Sequence, residues 1–136
     1  MIPVNSSLEN MIQDYIHMKS ELDKLQFSLG GNWDYDGGSF DKFLDDRRTV
    51  WLRIPFEITK GEFDGEATDI NASIQMGKPY VLKHLYQEGL DGAAQIRTYG
   101  ALIDQFQEPT DRDAEIEPQW VEKGKMIIEQ VEQQLQ

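Results

Sequence analysis

Apolar residues recur at Leu8, Met11, Ile12, Tyr15, Met18, Leu22 and Leu25, the three-and-four spacing of one helix face. Asp14 is placed to cap that stripe, so the spacing predicts a helix over 14–25. Ser6 with Glu9 would make a capping box for an earlier start, which leaves 7–13 open. Gly30-Gly31 stops whatever precedes it. Asp36-Gly37 then falls between aromatic positions, the signal of a hairpin within 32–41. The cleanest alternation runs over 48–59. Val50, Leu52, Ile54, Phe56 and Ile58 form one row, and Trp51, Arg53, Pro55, Glu57 and Thr59 form the other. That period of two is a strand, and Pro55, which cannot donate to a ladder, predicts an edge or a bulge there.

Residues 60–66 read as a turn around Gly61 and Gly65. Ile70, Ala72, Ile74 and Met76 alternate again, and Gly77-Lys78-Pro79 interrupts them. We read 80–86 and 94–106 as strands, although each also fits a short helix. Residues 107–117 are a polar, acidic loop. Pro118 suits the first position of a closing helix whose stripe is Trp120, Val121, Ile127, Ile128, Val131 and Leu135. These elements describe an α+β fold in a single domain over 1–136. One antiparallel sheet of five to six strands has an N-terminal and a C-terminal helix packed on it. Two helices leave one face of such a sheet incompletely covered.

Charge narrows the chemistry. The 136 residues hold 25 acidic and 13 basic side chains, a formal net charge of −12. Nucleic acid and anionic membrane surfaces both call for a cationic patch, so neither is an expected partner. Arg47-Arg48 and Lys123 with Lys125 are too few and too close to carboxylates to make one. The absence of Cys removes disulfides, thiolate metal sites and cysteine nucleophiles. The N-terminus has no basic region followed by an apolar run, and no stretch approaches 18 apolar residues, so the expected location is cytoplasmic.

The segments Gly30-Gly31-Asn32-Trp33-Asp34-Tyr35-Asp36, Leu52-Arg53-Ile54-Pro55-Phe56, Gly89-Leu90-Asp91 and Asp104-Gln105-Phe106-Gln107-Glu108-Pro109 resemble those of the YugN-like family of small bacterial proteins. The resemblance covers most of the chain and departs at Gly37 and Ser39, where bulkier residues are expected. It implies one α+β domain in a bacterial cytoplasm, and it brings no activity and no functional residues with it.

Candidate chemistry is sparse. Asn32-x-Asp34-x-Asp36-Gly37 copies the first half of a calcium loop, but Phe43 stands where the closing carboxylate belongs, so no stable metal site is expected. No phosphate loop, nucleophile elbow or dinucleotide fingerprint occurs, and no cofactor is implied. Adjacent acids such as Asp45-Asp46 arise by chance in so acidic a chain. His17 sits among acids on the first helix and reads as a surface residue. His84 shares a strand face with Tyr80 and Tyr86 and could act as a general base. Trp51 beside Arg53, on the row opposite the apolar one, has the composition of a contact surface. Trp33, inside the most specific block, joins them as a candidate binding residue. The leading reading is a non-enzymatic binding or regulatory module acting through a protein partner, its own copy or a small ligand. Two rivals stand beside it: a small-molecule enzyme using His84, a tyrosine and carboxylates, and a purely structural homodimer.

Overall fold

The alternating run near the middle of the chain is the axis of the fold. A computed structural model describes residues 1–67, 70–84 and 115–135. Its strands are β1 (Ile2–Pro3), β2 (Ile12–Asp14), β3 (Ser28–Leu29), β4 (Gly37–Phe43), β5 (Val50–Gly61), β6 (Ala72–Met76) and β7 (Tyr80–Lys83). Its helices are α1 (Tyr15–Lys24) and α2 (Pro118–Gln134). All pairings are antiparallel, in the order β1-β7-β5-β4-β3, with β6 beside β5 and β2 beside β6. Among the described residues the sheet therefore has seven strands, where the pattern predicts five to six over the whole chain. β1, β2 and β3 are not among the expected strands: at two or three residues they are too short to show a period, and β3 lies ahead of Gly30, outside the hairpin read over 32–41. The strand expected over 94–106 lies outside the described residues.

Local expectations hold where a cap or an alternation carries them. Asp14 caps α1 through His17 N at 3.2 Å, and Pro118 opens α2. Ser6 does not form a capping box with Glu9. Its Oγ accepts from Leu8 N and donates to Glu132 Oε2, and the chain turns instead of coiling. The tight turn near Gly37 is centred on Tyr35-Asp36, closed by Asp34 N to Gly37 O at 2.8 Å. β4 then pairs with β3 and β5, so the longer hairpin is β4–β5.

Pro55 sits inside a central strand. β5 pairs with β7 as far as Arg53↔Tyr80 and with β6 from Phe56↔Met76. Ile54 and Pro55 thus face Gly77, Lys78 and Pro79, one residue more, so the bulge lies in the neighbouring chain. Gly77 N donates to Pro55 O at 2.7 Å. A strand residue points its N–H and C=O the same way, so the donor that proline lacks faces the interruption, where no ladder bond is lost. A Cβ on Gly77 would stand 2.9 Å from Pro55 Cγ. A second register shift falls between Ile58 and Lys60.

Both described helices pack on the sheet face that carries Phe40, Leu52, Ile54, Phe56, Ile74 and Val81. Tyr15, Met18 and Leu22 of α1 and Ile127, Ile128 and Val131 of α2 are buried there. Gly124 brings α2 close, since a Cβ would meet Val81 Cγ2 at 2.7 Å. The two ends of the chain are clasped together. Glu132 Oε2 accepts from Ser6 Oγ and Ser7 N at 2.8 and 2.9 Å, and Gln134 Nε2 donates to Glu21 O at 2.7 Å.

Tyr15 is the aromatic hub of the core. It is fully buried, 5.9 Å from Phe40 and Phe56 and 4.8 Å from Phe63 between ring centres. Among the described residues no group partners its hydroxyl. Burial, with Asp23 adding, pushes the phenol up to about 12. A buried, unpaired hydroxyl costs about 1–3 kcal/mol, so Tyr15→Phe is expected to raise stability by about 1 kcal/mol in urea unfolding at unchanged slope. The pH dependence has a definite sign. A phenol raised in the folded state favours folding below its unfolded value near 10, and that contribution is lost as pH climbs toward about 12. Wild type should therefore lose stability faster than Tyr15→Phe over that interval, by up to roughly 1.4 kcal/mol per pH unit. Equal slopes would contradict the assignment.

Candidate functional site

The sheet face opposite the helices is built by the β4–β5 register. Asp45-Asp46-Arg47-Arg48 makes the connecting loop. Asp45 organises it by accepting from the Thr49 and Val50 amides at 2.8 and 3.0 Å and from Thr49 Oγ1. Burial acts to raise the Asp45 carboxyl, but these donors outweigh it and hold the group below its usual range. Leu44 N closes the loop on Val50 O at 2.7 Å. From there the register sets Phe43 opposite Trp51, Asp41 opposite Arg53 and Ser39 opposite Pro55. β7 adds Leu82 beside Trp51 and Tyr80 beside Arg53. The outward face therefore carries one apolar row, Phe43–Trp51–Leu82, and one polar row, Asp41–Arg53–Tyr80.

The polar row is internally neutralised. Arg53 Nε and Nη2 donate to Asp41 Oδ1 and Oδ2 at 3.0 and 3.1 Å, a two-pronged pair that fits the guanidinium fork. Ser39 Oγ donates to Asp41 Oδ1 at 2.8 Å. The Asp41 side chain is 8% exposed and that of Arg53 19%, so the pair is held largely away from water. Burial alone would lower the guanidinium, but the hydrogen bonds and charge of Asp41, with Tyr80 contributing, hold it above its usual value. Gly30 makes room for this arrangement, since a Cβ there would stand 2.7 Å from Asp41 Oδ2 and 2.8 Å from Ser39 Oγ. The sequence pattern suggests Arg53 as a cation for a carboxylate across a contact. In the fold two of its nitrogens are engaged by the carboxylate on the adjacent strand.

His84 follows β7, its amide donating to Thr49 O at 2.7 Å. Burial lowers its imidazole first and the Arg53 charge lowers it further, while Asp41 acts the other way. The imidazole is thus held below its usual range, next to an ion pair that already balances itself.

The apolar row ends in a corner open to water. Phe43 is 43% exposed and Trp51 is half-buried. Their rings meet edge to face at 5.3 Å, and the exposed Arg48 guanidinium lies 4.8 Å over the Phe43 ring. Trp51 Nε1 donates to Arg48 O at 2.8 Å, which fixes the indole to the loop. Trp51 therefore has an intrachain aromatic partner, Phe43, that the strand alternation alone does not reveal. The fold brings Trp51, Arg53 and His84 to one face.

Trp33 stands apart from them. It is half-buried, edge-on to Phe63 at 5.6 Å and to Tyr35 at 6.2 Å, and it lies over Gly65, where a Cβ would approach its ring within 2.7 Å. His17 is exposed on α1. The Asp34 carboxylate of the calcium-like half-motif serves its own turn, accepting from Asp36 N and Gly37 N at 2.8 and 3.0 Å. Among the described residues no three acidic or histidine side chains come together as a metal would need, and no helix is long and apolar enough to cross a membrane.

The sequence pattern does not mark Asp41, Ser39, Phe43 or Arg48 as site residues, although they flank Trp51 and Arg53 in the fold. The signal that finds them is the charged loop 45–48 between two apolar runs. Folding the chain about that loop puts 43 against 51 and 41 against 53.

Comparison with known proteins gives a single consistent answer. The family model described as the YugN-like family matches residues 3–135. A protein of Bacillus subtilis (strain 168) named "Uncharacterized protein YugN" is 31% identical over 133 residues, covering 97% of this chain and 96% of the relative. The crystal structure of the uncharacterized conserved protein YugN from Geobacillus kaustophilus HTA426 superposes with a TM-score of 0.69 at 18% identity, over 99% of this chain and 95% of that one. At that identity the likeness speaks for the fold.

Proposed function

The chain belongs to the YugN-like family, and we propose that this member is a non-enzymatic binding module that grips a protein through the Phe43–Trp51–Arg48 corner. The observation that carries the proposal is the corner itself. Two aromatic rings and a guanidinium are held in fixed geometry on an exposed loop and its flanking strands. Aromatic residues and arginine dominate the energetics of protein contacts, and rigid rings lose little entropy when they are covered. The partner that charge favours is a second copy. Arg48 presents one guanidinium over the Phe43 ring on a chain of net charge −12, so an identical neighbour offers carboxylates to meet it. The enzyme reading is less well supported. The Asp41 carboxylate that acts on His84 is already engaged by Arg53 through both oxygens and by Ser39 through one, which leaves it poorly placed to take up a proton. The same proposal assigns the protein to the cytoplasm, which cell fractionation checks.

The test is sedimentation of wild type and of Phe43→Ala with Trp51→Ala over a range of concentration. Wild type is expected to self-associate. The double variant should sediment as a monomer while keeping its circular dichroism spectrum. Trp51→Phe, which preserves a ring, should retain most of the association. A monomeric wild type at every concentration overturns the proposal, and so does a double variant that associates as wild type does.

A further inference from the structure

We propose that the cleft beside Tyr35 is a docking site for a basic segment of a partner protein, with a lysine side chain as its occupant. The proposal uses none of the corner residues. The cleft has a volume of about 550 Å³, and Tyr35, Phe63 and Ile70 line it together with Glu62 and Asp64. Tyr35 is 75% exposed, the most open of the large apolar side chains in the described residues. It does not hang from a loose loop. The Asp34–Gly37 turn is closed by the two backbone bonds between its ends and by the Asp34 carboxylate, and Ile58 N donates to Asp36 O at 2.8 Å. The Tyr35 ring leans edge-on against Trp33, which is itself braced by Phe63. A phenol ring is thus presented to water on a rigid wall.

Charge selects the occupant. Glu62 and Asp64 line the cleft, and Asp36 sits on the same turn as Tyr35. Among the described residues none of the three forms an ion pair, and the nearby Lys60 forms none either. An aromatic wall with carboxylates at its rim suits a cation on an apolar stem. The methylenes of a lysine can lie along the exposed Tyr35 ring while its ammonium meets the Glu62 and Asp64 carboxylates, with Phe63 and Ile70 forming the buried floor behind them. With Tyr35 this exposed, the cleft can be entered from the side by a side chain still attached to its backbone. The net charge of −12 draws basic segments toward the molecule before contact.

The experiment is a titration of the full chain with a tetralysine peptide, followed by backbone amide shifts. Saturable shifts are expected at Gly61, Glu62, Asp64 and Ala67. Tyr35→Leu should weaken binding about fivefold or more, the ratio that corresponds to roughly 1 kcal/mol of cation–aromatic attraction. Glu62→Gln with Asp64→Asn should weaken it comparably, and that pair keeps both side chains near their original shapes. Tyr35→Phe should bind as wild type does. Three outcomes overturn the proposal: the same shifts with potassium chloride at matched ionic strength, binding of 1,5-diaminopentane as tight as that of the peptide, or variants that bind unchanged. None of these outcomes depends on Phe43 or Trp51, so the corner contact stands or falls separately.

Discussion

Replacing Arg53 by alanine is expected to cost about 3–5 kcal/mol of folding stability, more than any other single change on the outer face of the sheet. The reason is what remains behind. Asp41 is 6% exposed, and its carboxylate would keep only the Ser39 hydroxyl once the two guanidinium bonds are gone. An unpaired buried charge must drag in water or take up a proton, and both weaken the β4–β5 pairing around it. The size of the loss does not measure how much the intact pair stabilises the fold. Removing both charges together, as Asp41→Leu with Arg53→Met, should recover most of it, because neither side chain is then desolvated without a partner. Arg53→Lys should fall between, since an ammonium cannot reproduce the two-pronged fork. Urea unfolding of the four proteins checks the order. A double variant as unstable as Arg53→Ala would show that the pair's contribution is not electrostatic.

The second large effect belongs to the other face. Phe56→Ala should lower stability by about 3–5 kcal/mol, the range for emptying an aromatic site in a packed core. Phe56 is 3% exposed, and its ring centre lies 4.9, 5.7 and 5.9 Å from those of Phe40, Phe63 and Tyr15. All three rings face the vacated volume, and a sheet strand on one side and helix α1 on the other cannot close over it. For a domain of this size each kcal/mol moves the melting temperature by about 2–4 °C, so a fall of roughly 10 °C is expected in a thermal scan. A fall of only a degree or two would mean that the cluster repacks.

What could be read ahead of the structure depended on whether the information was local. Asp14 ahead of an apolar stripe, Pro118 at the head of another, and the strict alternation from Val50 to Ile58 each act within a few residues. The structure carries α1, α2 and β5 close to where they were expected. β1 and β2 hold two and three residues, and their only reason to be strands is a partner some 60 to 80 positions away. No window of sequence contains that partner. Pro55 shows the same division. Its missing donor predicts an interruption in the ladder, but which chain bulges to accommodate it depends on how β6 and β7 lie against β5. At the candidate site the alternation of β5 separates Trp51 and Arg53 from the core. What they touch depends on the register across the 45–48 loop. Arg53 was therefore legible as a cation on the outer face but not as half of a closed pair.

The clasp between Ser6, Ser7 and Glu132 bears on how the protein is made. Ser6 and Ser7 are held by hydrogen bonds to a helix residue that is synthesised some 125 positions after them. β1 likewise must wait for β7. Residues 2–7 therefore have no permanent place to settle until β7 and α2 have been made, and the middle strands can pair only into a sheet with one flank unfinished. Such long-range closure is slow to find, and its unpaired edge is exposed in the meantime. Completion of the fold therefore waits for α2, and truncation within α2 should leave the Ser6–Ser7 segment without its anchor.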